Sequence, residues 1–193
     1  MATSSARVAV FFAEGLEECE ALVVCDLLAR SGISYDKVSI SEDLSVVSAH
    51  GCKIELDTSI ADPAFSFDDY QILFLPGGLP GTTNLGSCKR LCEALVEQHA
   101  KGTMLAAVCA APSVFAQLGL LEGKRATANP GFQDVLREHG AEVVQDDVVK
   151  DGTIITSKGL GTCIPLGLTL VEELLGAEAR AACTKSIVYA DKL

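Results

Sequence analysis

Tryptophan is absent from this 193-residue chain, and aromatic residues make up only 5% of it. With 49% hydrophobic content, the core must be built from Ala, Val, Leu and Ile, a composition suited to a parallel sheet between helices. Basic residues are also scarce. Fifteen Lys and Arg stand against 26 Asp and Glu, for a net charge of −11. With no basic excess to neutralise phosphates, nucleic acid is excluded as a main partner. No apolar run approaches the length of a membrane span, which excludes a membrane partner of that kind. Met1 to Arg7 lacks the long apolar region of a signal peptide, so a cytoplasmic protein is expected. Zinc spacing is missing too: Cys88 and Cys92 lie four apart, with no second cysteine pair or histidine pair nearby. The expectation is no metal and no organic cofactor. The eight cysteines read as reduced thiols rather than as a disulfide framework, with Cys19, Cys25 and Cys52 filling core space or, as the alternative, lying near a subunit interface.

What is present is an alternation of strands and helices along the whole chain. Its length suits one domain, residues 1–193. Arg7 to Phe12 reads as a buried strand. A helix starts at Glu17 and ends where Gly32 can cap it, and Ser34 to Ser41 forms the next strand. Two short strands flank His50-Gly51. Gln71 to Leu75 is another buried strand, followed by a Pro- and Gly-rich loop and a helix from about Cys88 to His99. Shorter strands and helices lead to a strongly apolar helix, about Cys163 to Leu175, and a last helix from Glu178 to Lys185. The class is α/β, a three-layer sandwich with a mostly parallel central sheet.

The stretch Thr103 to Pro112 carries the chemistry. An apolar strand ends on Cys109 among small residues, and a proline three positions on suits the first turn of a helix. Strand, sharp turn and helix are the grammar of a nucleophile elbow. The helix dipole is expected to lower the thiol pKa. Four carboxylates, Glu14, Glu17, Glu18 and Glu20, cluster at the start of the first helix, where the dipole alone favours them. One of them, turned toward Cys109 and buried, would be a protonated donor to sulfur. The residues do not say which one. Pro76-Gly77-Gly78 is neither a P-loop nor a dinucleotide fingerprint, since no Gly-Lys-Ser/Thr and no third glycine follow. Its amides, with that of Ala110, could form an oxyanion hole. No histidine falls at a strand end beside Cys109: His99 and His139 sit near helix C-termini and His50 in a loop. A Cys–His–Asp protease triad is therefore poorly supported.

Glu17-Glu18-Cys19-Glu20, Leu75-Pro76-Gly77-Gly78, Ala107 to Pro112 and Thr156 to Thr162 fall in one order and spacing. In these four motifs the chain resembles the ThiJ/PfpI superfamily. Within it the likeness is to the DJ branch, which holds the parkinsonism-associated protein deglycase and its bacterial relatives. The resemblance implies a flavodoxin-like sandwich that forms a homodimer. It implies Cys109 as nucleophile and oxidation sensor, Glu20 as its partner acid, and Gly78 and Ala110 as oxyanion-type amides. Gly77, Asn129 and His50 are implied at the substrate pocket. The implied activity is cofactor-independent glyoxalase or deglycase chemistry. Its substrates would be small 2-oxoaldehydes (methylglyoxal, glyoxal) or their early adducts on proteins and nucleotides. The alternative is a redox sensor or chaperone regulated by oxidation of Cys109 to sulfinic acid. The chain departs from the superfamily pattern in several places. Asn129 stands where some members have a histidine, Ala110 where peptidase-like members have one, Leu160 where a proline is usual, and His50 where, in some relatives, an arginine helps form an anion pocket at the dimer interface.

Overall fold

The computed structural model describes residues 7–189. The N-terminal segment read above for a signal peptide lies, apart from Arg7, outside the described residues. In chain order the elements are β1 (Arg7–Phe12), α1 (Glu18–Arg30), β2 (Ser34–Ser39), β3 (Ser45–Val47), β4 (Lys53–Glu55), β5 (Thr58–Ser59) and β6 (Ile72–Leu75). They continue with α2 (Gly81–Ser87), α3 (Lys89–Ala100), β7 (Met104–Val108), α4 (Pro112–Gln117), β8 (Arg125–Ala126), α5 (Gln133–Glu138) and β9 (Glu142–Val143). The last are β10 (Val148–Asp151), β11 (Ile154–Ser157), α6 (Cys163–Leu175) and α7 (Ala177–Ser186).

Seven strands form one sheet in the order β10-β11-β7-β6-β1-β2-β5. Every pairing is parallel except β10 with β11. The side-chain period of two sorts residues to opposite faces. From β1, Ala9 and Phe11 join Leu91, Leu95 and Phe115 of α3 and α4 on one face. Val8, Val10 and Phe12 join Val24, Leu28, Leu166 and Leu170 of α1 and α6 on the other. Both faces are therefore dry, which explains why β1, β6 and β7 read as unbroken apolar runs. The result is the three-layer α/β sandwich that the alternation predicts, and α7 packs against α1 and α6 from outside.

Two departures from the sequence reading concern the loop after β6 and the cysteines. The Pro- and Gly-rich loop is followed directly by a helix, α2. Its Gly81, Thr82, Thr83, Asn84 and Gly86 are weak helix formers, and no side chain caps its start. It forms because Leu85 is fully buried and Gly81 fits against Leu16. Of the three cysteines expected in the core, Cys25 is buried, whereas Cys19 and Cys52 are exposed.

Candidate active site

Cys109 follows β7 directly and has φ 63°, in the left-handed region that a side chain rarely adopts. Backbone hydrogen bonds hold it on both sides. Its N–H donates to Ser157 O at 3.0 Å, and its carbonyl accepts from Asn129 N at 2.9 Å. The strained residue is thus fixed between β11 and the segment after β8, which is how a fold holds such a conformation. The turn delivers the sulfur to the carboxyl edge of the sheet, at the start of α4. The amides of Ala110 and Gly78 both donate to the sulfur.

Packing divides the four clustered acids. Glu14 Oε2 accepts from Val47 N at 2.9 Å. Glu17 caps α1, its Oε2 accepting from Glu20 N at 2.6 Å. Glu18 meets the His50 ring, with both carboxylate oxygens 3.1 Å from Nδ1. Glu20 alone turns inward. It is 2% exposed, accepts from Gly77 N at 2.9 Å, and shares a hydrogen bond with the Cys109 thiol. The amide of Leu160 also reaches it, so leucine in place of proline adds a donor at this point.

Asn129 is the third side chain at the site. Its Oδ1 accepts from Gly131 N at 3.1 Å, which leaves Nδ2 toward the pocket. A Cβ built on Gly159 would lie 3.8 Å from Glu20 Oε1, 3.9 Å from Asn129 Nδ2 and 4.0 Å from Cys109 Sγ. Three polar groups from α1, β7 and the β8–α5 connection therefore converge on one point, and the glycine leaves that point open. The structure brings Cys109, Glu20, Gly77, Gly78, Ala110 and Asn129 together. It does not bring His50 to them, since the hydrogen bonds of that ring go to Glu18. Gly159 is the position that motif reading left out. Its only signal is its place in the late glycine stretch.

The electrostatics reverse one expectation. The helix dipole predicted a lowered thiol pKa, but Cys109 is pushed up to about 11. Burial is the main cause, followed by the charge of Glu20 and the hydrogen bond to it. The Ala110 and Gly78 amides oppose this without overcoming it. Glu20 is also raised, first by burial and further by the Glu17 carboxylate, against hydrogen bonds from Cys109, Gly77 and Leu160. Each anion disfavours the other, so the pair behaves as one unit that keeps a proton to high pH.

The folded pKa of Glu20 lies above its unfolded one. Stabilisation from holding that proton is complete below the unfolded pKa and is lost as pH rises through the folded value. Glu20→Gln, which cannot ionise, is therefore expected to melt above wild type at alkaline pH. The difference should shrink as the solution is acidified. Thermal melts across pH check this.

No helix among the described residues is long and apolar enough to cross a membrane. A model of the DJ-1/PfpI family matches residues 6–173. The chain is 40% identical over 179 residues to Protein DJ-1 homolog B of Arabidopsis thaliana, covering 92% of this chain and 40% of that protein. It thus spans less than half the length of that relative. Over 190 residues it is 31% identical to a Caenorhabditis elegans protein named glutathione-independent glyoxalase DJR-1.2, covering 98% of this chain and 100% of that one. The crystal structure of Drosophila melanogaster DJ-1beta superposes with a TM-score of 0.89 at 34% identity, covering 95% of this chain and 97% of that chain.

Proposed function

This chain belongs to the DJ-1/PfpI family, and from that premise we propose that it is a glutathione-independent glyoxalase and deglycase. Its substrates are methylglyoxal, glyoxal and their early adducts. The observation that carries this reading is the buried Glu20 carboxyl hydrogen-bonded to Cys109, whose sulfur also receives the amides of Ala110 and Gly78.

The pair holds one proton, and its place decides reactivity. Glu20 is nearly fully buried and faces the Glu17 charge, whereas Cys109 is partly exposed and faces two amides. At rest the proton sits on the thiol, which burial and the Glu20 charge push up to about 11; its transfer to the Glu20 carboxyl, which burial also raises, gives the reactive form and leaves a thiolate. That sulfur adds to the aldehyde carbon of a 2-oxoaldehyde, forming the C–S bond of a hemithioacetal while Glu20 gives its proton to the oxygen. Glu20, now a carboxylate, takes the proton from the same carbon and returns it to the adjacent one, while the hydroxyl proton of the hemithioacetal passes to the neighbouring carbonyl oxygen. The product of that transfer is a 2-hydroxy thioester on Cys109. Water adds to the thioester carbonyl and the C–S bond breaks, releasing the 2-hydroxy acid and the thiolate, while the remaining proton of the water returns to Glu20. The Ala110 and Gly78 amides stabilise negative charge as it develops. Asn129 Nδ2 donates to a substrate oxygen and takes no proton, which separates its role from that of a histidine. A homodimer belongs to the same reading.

Glu20→Gln tests this assignment. Glutamine can still donate to sulfur but cannot carry a proton between carbons. Lactate formation from methylglyoxal should fall by roughly 10²–10⁴-fold, the usual contribution of a general acid–base group. Thiolate absorbance should appear at lower pH than in wild type, because the Glu20 charge that raises the thiol is gone. A variant that kept its turnover would remove Glu20 from the relay.

A second reading rests on the partial exposure of Cys109 beside a hydrogen-bond donor. Two molecules of hydrogen peroxide would each give one oxygen to the sulfur and leave as water, so that Cys109 becomes a sulfinate held by the Glu20 carboxyl. Under mild peroxide, mass spectrometry should find two added oxygens on Cys109. Oxidation spread evenly over the eight cysteines would count against it.

A further inference from the structure

Glu17 is the N-cap of α1, and Glu20 is its third residue. Glutamate is a poor choice for the cap, where the shorter side chains of Asn, Asp and Ser serve best. A glutamate at the third position commonly turns back to the N-cap amide, so that the two residues satisfy each other as a capping box. Half of that box is present, since Glu17 Oε2 accepts from Glu20 N at 2.6 Å. The other half is opened, and the peptide of Gly77 stands between the partners. Glu17 N donates to Gly77 O at 2.9 Å, and Gly77 N donates to Glu20 Oε2 at 2.9 Å. The hydrogen bonds thus close a ring through Glu17, Gly77 and Glu20.

The opened box frees the acid for chemistry. In a closed box the Glu20 carboxyl would be occupied by the amide of Glu17. Here Gly77 fixes its Oε2, and the carboxyl also meets the Cys109 thiol. Glu20 is therefore gripped at both ends, its amide by Glu17 and its carboxyl by Gly77. The loop that carries Gly77 is seated on the same residue, because a Cβ on Gly78 would come within 2.2 Å of Glu17 N. The loop also abuts the elbow, because a Cβ on Gly77 would lie 2.6 Å from Cys109 Cβ. A shift of Glu17 would carry both the acid and the loop away from sulfur's present setting.

Glu17 also brings a like charge to the acid that it holds. Its side chain is only 15% exposed, so solvent screens that charge in part. The charge disfavours ionisation of Glu20, in addition to burial. The other titratable groups around Glu17 and Glu20 come from four elements. They are Glu18 and Cys19 of α1, Cys109 of the elbow, the buried Cys163 thiol of α6, which burial raises, and the His50 ring of the β3–β4 loop. His50 Nδ1 lies 3.9 Å from Glu17 Oε1 but 3.1 Å from Glu18 Oε1.

We propose that Glu17 is a positioning residue for the Cys109–Glu20 pair, holding the Glu20 carboxyl against the thiol through the ring and keeping the shared proton on the pair through its charge. It acts through Glu20 and Gly77 and transfers no proton itself. Its part in turnover rests on the relay proposed for Glu20, whereas its hold on the pair does not.

Glu17→Gln keeps an acceptor for Glu20 N and removes the charge, and Glu17→Ala removes both. Two readouts are taken across pH on reduced protein. One is lactate formation from methylglyoxal. The other, without substrate, is the rate at which iodoacetamide alkylates Cys109, followed by mass spectrometry of its peptide. Glu17→Gln should melt close to wild type. Its alkaline fall in turnover and its alkaline rise in Cys109 alkylation should both move to lower pH, because a pair relieved of a like charge releases its proton sooner. Glu17→Ala should show the same displacement and also lose turnover roughly 10²-fold, the scale of a misplacement of about 1 Å. Glu14→Gln removes a charge from the same cluster outside the ring, and should match wild type in both profiles. A residue that only caps the helix would leave both profiles of Glu17→Gln unmoved. That result, or an equal displacement in Glu14→Gln, would overturn the assignment. A wild-type protein that forms no lactate would instead strike the glyoxalase reading, and the alkylation profiles would still decide the role of Glu17.

Discussion

Cys109→Ser is expected to lower turnover of methylglyoxal by at least about 10³-fold, the scale on which losing a nucleophile acts. The substitution changes one atom at a site already shaped for it. The left-handed φ of 63° belongs to the backbone and survives, as do the bonds to Ser157 O and from Asn129 N. Stability should change little, so lost rate would report chemistry rather than unfolding. A hydroxyl is a far poorer anion than a thiol, and two backbone amides do not close that gap. Glu20 would keep its proton and its bond to Gly77 but would have no anion to serve. Measuring turnover and melting temperature together separates the two effects. Substantial activity in a folded serine variant would place the reacting group elsewhere.

Gly77→Ala has the second largest expected effect, and it acts through space rather than backbone angle. A Cβ at this position would lie 2.6 Å from Cys109 Cβ, 2.6 Å from Glu20 Oε2 and 3.0 Å from Val108 O. The Glu20 oxygen could swing away, but the other two atoms belong to the elbow and to β7 and cannot move alone. Overpacking of this kind costs about 1–3 kcal/mol. Relief would also push the thiol and carboxyl apart, and a misplacement of about 1 Å can cost 10²-fold in rate. We expect a melting temperature several degrees lower and turnover reduced by roughly 10²-fold or more. Gly78 differs, because it has φ +90° and a Cβ there would come within 2.2 Å of Glu17 N. Adjacent glycines are thus required for different reasons. A Gly77→Ala protein with wild-type turnover would mean that thiol and carboxyl need not be in contact.

How far the sequence reaches is clear from these same residues. The elbow is legible because strand, small-residue turn and proline-started helix are all local features, and Cys109 occupies the only place for a nucleophile in that pattern. The sheet is legible because its central strands are buried on both faces and so carry unbroken apolar runs. Glu20 cannot be separated from Glu14, Glu17 and Glu18 by position, since all four fall within seven residues. Their division among Val47, the helix cap, His50 and Gly77 is made by tertiary packing. The thiol pKa fails for a related reason. A helix start is visible in sequence, but the burial and neighbouring carboxyl that outweigh it are not. The helix α2 is missed because weak helix formers are overruled by the burial of Leu85.

The most direct test of the central claim is lactate formation from methylglyoxal by purified, reduced wild-type protein in buffer free of glutathione, followed by proton NMR. The account predicts stoichiometric conversion to lactate at a rate proportional to protein concentration, falling once the pH is high enough to remove the proton that Cys109 and Glu20 share. Methylglyoxal consumed no faster than in buffer alone, by protein whose Cys109 is shown to be reduced, would contradict it.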